Sequence, residues 1–180
     1  AKAAVVLGVL RGGLGARGLL PGPVLLGLAA VLAAVVMAPV ASALATAVDG
    51  LPADDPVAWA RAAATGWPIL DHWLSAHTRP EDLAALLDAA RTLDPAQTAA
   101  GPALKVAAFM VTELTAAFQL GVLLLLPFLI VDLLTANTLT ALGFHQLSVR
   151  LVSLPFKLLL FVAADGWSLL VRGFVRSYAA

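Results

Sequence analysis

Apolar and polar positions divide this chain into three stretches. From Gly18 to Val48 no charged residue interrupts a run rich in Leu, Val and Ala. At about 1.5 Å per helical residue the run exceeds the roughly 30 Å hydrocarbon core of a bilayer. It therefore predicts a membrane-length helix, opened by Pro21 and Pro23 and kinked or ended by Pro39. Ahead of it, Ala3 to Leu10 is apolar but too short to span, which predicts that residues precede Ala1. A second apolar region runs from Ala103 to Leu142, interrupted by Lys105, Glu113, Asp132 and the kink-prone Pro127. After the polar stretch Gly143 to Ser148, Leu151 to Phe174 resumes the pattern around Pro155, Lys157, Asp165 and Gly166. Two long helices joined as an αα-hairpin are the expected result.

The stretch between the apolar regions has a different character. Eight acids (Asp49, Asp54, Asp55, Asp71, Glu81, Asp82, Asp88, Asp94) face three bases (Arg61, Arg79, Arg91). Gly50-Leu51-Pro52, Gly66-Trp67-Pro68, Arg79-Pro80, Asp94-Pro95 and Gly101-Pro102 are turn signals that predict short helices between them. The clearest begins at Pro80, with Leu83, Leu86, Leu87 and Ala90 on one stripe and Glu81, Asp82, Asp88 and Arg91 opposite. Glu81 and Asp82 in its first turn complement the helix dipole. The expected fold is an all-α membrane protein, with long kinked hydrophobic helices as hairpins and a small amphipathic helical middle subdomain. Its expected parts are a hydrophobic segment 1–48, an acidic subdomain 49–102 and a hydrophobic hairpin 103–180 with its tip at 143–148.

Composition sharpens this reading. Of the 180 residues 61% are hydrophobic and 12% charged, against about 45–50% and about 25% in ordinary soluble domains. One soluble core cannot hide that much apolar surface, so the excess faces lipid or other subunits. Formal net charge is zero, without a Lys/Arg cluster, which argues against nucleic acid as a partner. With no cysteine there is neither a disulfide framework nor a thiolate metal site. Arg11 and Arg17 favour a cytoplasmic first connection, which places the acidic middle on the opposite side; Arg150 returns the tip to the cytoplasmic side, while Arg172 and Arg176 oppose that.

Candidate chemistry is sparse. Gly13, Gly15 and Gly18 spell G-x-G-x-x-G, but Pro21 and Pro23 follow and no acid stands where a ribose would need one, so a flexible turn is the better reading. His72 and His77 are five apart, about 140° around a helix, which is not metal-ligand spacing. Trp59, Trp67 and Trp73 suit an interfacial belt or a local core. Gly8, Gly12 and Gly15 either allow close helix approach or loosen the chain end. No nucleophile, metal or cofactor pattern emerges, so no catalytic, cofactor-binding or metal site is expected.

Four ionisable residues, Glu113, Asp132, Lys157 and Asp165, stand in otherwise apolar helices, where an isolated charge costs several kcal/mol. They need partners. The alternatives are a proton or ion path, an ion-pair network that fixes assembly, or simple solvation near an interface. Glu113 and Lys157, opposite in charge, are expected to pair between neighbouring copies.

Several strings resemble one family. Ala107-Ala108-Phe109-Met110-Val111-Thr112-Glu113-Leu114, Leu126-Pro127-Phe128-Leu129-Ile130-Val131-Asp132-Leu133, Ser153-Leu154-Pro155-Phe156-Lys157-Leu158-Leu159-Leu160-Phe161 and Asp165-Gly166-Trp167 are similar to the SctR/FliP family of type III secretion export-apparatus proteins. Lys2 to Leu14 and Val36-Met37-Ala38-Pro39 look like that family's early helices. The resemblance implies a structural, non-enzymatic R subunit of the export gate in the bacterial inner membrane, its assembled part displaced toward the periplasm. It implies copies ringed as a pentamer with S and T subunits and the U subunit nearby, contacting lipid and passing unfolded secreted proteins, and a further N-terminal segment ahead of Ala1. A small proton-coupled transporter using Glu113, Asp132 or Asp165 is the alternative.

Two departures stand out. The family's tip is methionine-rich and seals the channel, whereas the matching positions here read Phe144, His145 and Gln146. These three are the expected pore constriction. Flagellar members tend to carry Lys where Thr115 stands, which with Lys2 leans toward an injectisome.

Overall fold

The computed structural model describes residues 1–15, 21–50, 56–95 and 99–178. Among them run seven helices: α1 Lys2–Leu14, α2 Gly22–Val48, α3 Pro56–Ala76, α4 Pro80–Leu93, α5 Pro102–Ala141, α6 Val149–Ala163 and α7 Gly166–Arg176. The all-helical expectation is met. Arg17, Gly18, Leu51, Pro52, Asp54 and Asp55, which entered the reading of turns and charge, lie outside the described residues.

α2 and α5 are long and apolar enough to cross a membrane, and α6 with α7 makes a third candidate if a bend of 60° is allowed within one span. At 40 residues α5 is about 60 Å long, twice a hydrocarbon core. Pro39 and Pro127 lie inside α2 and α5, and neither ends its helix. Beyond Pro39, Ser42 Oγ donates to the Pro39 carbonyl at 2.8 Å and Thr46 Oγ1 to the Ser42 carbonyl at 2.9 Å.

Elsewhere the chain departs from expectation. Gly66-Trp67-Pro68 is not a turn; α3 runs straight through it with Pro68 inside. A proline removes one helical hydrogen bond and crowds the preceding turn, and here the flanking helical residues outweigh that. The last apolar stretch is also not one helix, because the chain breaks between α6 and α7 at Asp165, which has φ 48° and ψ 48°. Behind the break Gly166 lies against the Phe161 ring, where a Cβ would collide.

The helices form two compact units, one of residues Ala1–Ala33 with Ala116–Ala180 and one of Ala34–Thr115. In the first, α1 is seated against α5 and the α6–α7 arm. Val9 packs on Gly121, where an added Cβ would come within 3.1–3.2 Å of the valine, and Gly13 packs on Leu125 and Phe128. Contacts rising together along the two helices, Val9 with Gly121 and Gly13 with Leu125, mean α1 runs parallel to this part of α5. Leu7, Leu10 and Leu14 of α1 are buried to within 2%. The glycines that permit this approach are Gly13 and Gly121. Gly8 and Gly12 have nothing within 4 Å of a would-be Cβ and instead border a cleft with Arg11, Gly22 and Leu25. Gly15 ends α1 in the left-handed conformation, φ 69°.

In the second unit Trp73 stacks on His77 at 4.6 Å and meets Phe109 at 5.1 Å, so this tryptophan belongs to a local core while Trp59 is 66% exposed. α4 begins with Pro80 at its first turn and has Glu81 and Asp82 there, as its sequence predicts, but it buries no residue fully.

Candidate functional site: a buried charge cluster and an exposed hairpin tip

α6 carries Ser153 and Lys157 one turn apart, so both project from one face toward α5. Opposite stands Asp132. Lys157 Nζ lies 2.6 Å from Asp132 Oδ2 and donates to the Gly13 carbonyl at 2.8 Å. Ser153 Oγ donates to Asp132 Oδ1 at 2.5 Å. The lysine side chain is 4% exposed and the aspartate 36%. Both carboxylate oxygens are thus occupied, and three helices meet at one ammonium group. The Gly13 carbonyl is available because it lies in the last turn of α1, where carbonyls lack a helical donor. An ammonium at a helix C-terminus is also favoured by the dipole.

The expected ionisable set is therefore distributed unevenly. Lys157 and Asp132 come together within one chain, so any bond from Lys157 to Glu113 of a neighbouring copy would be additional to Asp132. Glu113 is buried in the other compact unit, 4% exposed. Asp165 is not enclosed in the chain: it sits at the α6–α7 break, 70% exposed, with Arg172 at 3.4 Å.

Lys2, which carried weight only in the family comparison, is 3% exposed. It donates to Ser177 Oγ at 3.1 Å and stands 4.2 Å over the Tyr178 ring. Both ends of α1 are thereby fastened by a lysine, one its own and one from α6.

The hairpin tip is built from the helix end outward. Gly143 takes φ 76°, a conformation that costs glycine little. Its N–H donates to the Thr140 carbonyl at 3.1 Å, and the Phe144 N–H reaches back to the Leu139 carbonyl at 2.9 Å. This reciprocal pair is the Schellman ending of α5. In that ending the residue after the glycine packs on the helix's last turn, and Phe144 and Leu139 do line one groove of about 540 Å³ between α5 and α6. Phe144 remains 52% exposed. His145 and Gln146 are exposed at the apex.

The FliP family model matches residues 1–174. This chain belongs to the FliP family. A flagellar biosynthetic protein FliP of Cereibacter sphaeroides is 42% identical over 97% of this chain and 58% of its own length. A hypersensitivity response secretion protein HrcR of Ralstonia nicotianae is 38% identical over 98% of this chain and 86% of its own. A Yop proteins translocation protein R of Yersinia pestis is 37% identical over 98% and 85%. The FliP-family chain thus spans less than two thirds of the Cereibacter protein and most of the other two. Flagellar and secretion relatives are of similar identity, so identity does not divide them.

Proposed function

We propose that this FliP-family chain is a structural pore subunit of a type III secretion export gate, ringing with further copies and with S and T subunits, and adjoining the U subunit, in the bacterial inner membrane. Unfolded polypeptides pass through the ring. The observation that supports it most is the hairpin: an exposed tip, closed by a glycine ending, stands on helices whose outward faces remain apolar, with Leu123 64%, Leu133 62% and Leu151 74% exposed. A lone chain would not leave such surfaces open in water, and lipid and neighbouring subunits are what cover them.

Around the ring axis, Phe144, His145 and Gln146 of each copy form the constriction, and the apolar Phe144 rings within it exclude ions by dewetting. The charge cluster at Lys157 sets how α1 meets the hairpin in each copy, with the exposed Asp165 open to contacts between copies. The acidic middle faces the periplasm, toward which the assembled ring is displaced. Purifying the full-length protein from cells that also make the S and T subunits tests this. A large ring containing all three supports it; a lone protein that drives solute uptake on a proton gradient overturns it in favour of a transporter.

A further inference from the structure

We infer that Phe144 is a retractable stopper, stowed in the groove between α5 and α6 when the gate passes a polypeptide. The inference rests on the constriction proposed above and concerns how it opens. A phenyl ring cannot deform as a thioether side chain does, so a collar of such rings can widen only if the rings move elsewhere. A place for them lies beside the residue. The groove of about 540 Å³ is walled by Leu139, Thr138, Leu142, Leu147, Val152 and Phe156, whereas a cavity of about 150 Å³ holds a benzene molecule.

The groove suits a ring and nothing polar. Thr135 and Thr138 turn their hydroxyls back onto their own helix, donating to the Val131 and Leu134 carbonyls at 2.8 Å each. Neither needs a partner in the groove. Rotation about the Phe144 Cα–Cβ bond between staggered positions relocates the ring. The backbone stays fixed by the bonds from Gly143 to Thr140 and from Phe144 to Leu139. An arriving chain, which needs the axis clear, favours the stowed position. The ring already borders the groove while 52% exposed.

Filling the groove tests this. Thr138 is exposed on the groove wall, so Thr138→Trp occupies the space without entering a core. In the full-length protein within an assembled gate, Thr138→Trp is expected to keep the membrane tight to ions and to lower export several-fold. Adding Phe144→Gly, which leaves no ring to stow, should restore export. Export by Thr138→Trp at the parent rate overturns the stopper, as does a double variant no better than Thr138→Trp alone. The constriction itself is judged separately, by whether Phe144→Gly alone leaks: a leak combined with normal export by Thr138→Trp removes the stowing and leaves the collar standing.

Discussion

The two compact units each hold a lysine–aspartate pair, and the two pairs differ in how far the lysine is buried. In the first, Lys157, Asp132, Ser153 and the Gly13 carbonyl meet where apolar helices close over them, and each charge has a partner inside the chain. In the second, Lys105 reaches Asp71 at 2.5 Å with the two side chains 27% and 28% exposed. Thr112 there donates to Asp82 at 2.5 Å while accepting the Arg79 N–H at 3.2 Å. One unit satisfies polar groups as a membrane interior demands, because nothing else will. The other holds its Lys105–Asp71 pair half-open to water, which can replace it, beside a buried Thr112 and Glu113. The same contrast runs through the packing, where α1 closes on α5 across glycines while α4 buries no residue fully.

Substitutions can break that contrast. The largest effect is expected at Lys157→Ala, which strands Asp132 and the Gly13 carbonyl. Removing one partner of a buried pair costs about 3–5 kcal/mol, and the partial exposure of Asp132 places the loss near the lower figure. Thermal unfolding of the purified protein measures it, and Lys157→Met with Asp132→Asn should recover part of the loss. Next comes Gly121→Val, which drives a branched side chain into Val9; overpacking of this kind costs about 1–3 kcal/mol, whereas Gly8→Ala, facing open space, should leave stability close to the parent's. Lys105→Met should cost no more than about 1 kcal/mol, as exposed pairs do. If Lys105→Met destabilises as much as Lys157→Ala, the contrast between the units fails. The smallest effect on stability belongs to Asp88→Cys, on the exposed face of α4. In a chain without other cysteines it reports sidedness, and a membrane-impermeant thiol reagent added from the periplasm should label it. Labelling only after the inner membrane is opened would reverse the orientation.

Legibility in the sequence follows the range of the interactions. Pro80 with Glu81 and Asp82 announces α4 because capping and dipole effects act within one turn. The long apolar runs announce α2 and α5 because membrane length needs no tertiary information. Pro68 misleads, since a proline marks a helix end only when flanking residues do not carry the helix past it. Asp165 conceals the α6–α7 break: aspartate enters the left-handed region more readily than most residues, but its type alone does not force it there, and the Phe161 ring packs on Gly166 just behind it. The Lys157–Asp132 bond joins residues whose meeting depends on hairpin register, which composition does not set. One usable signal was present, the four-residue spacing of Ser153 and Lys157, which put both on one face of α6. Lys2 and Tyr178 offered no such cue at opposite ends of the chain.

The central claim is that the hairpin tip closes a pore, and conductance tests it most directly. Phe144→Gly should be expressed in the full-length protein, its assembly with the partner subunits checked on a native gel, and the ion permeability of the inner membrane compared with the parent's. The account predicts an intact ring that leaks ions. An intact ring as tight as the parent's would contradict it and remove Phe144 from the gate.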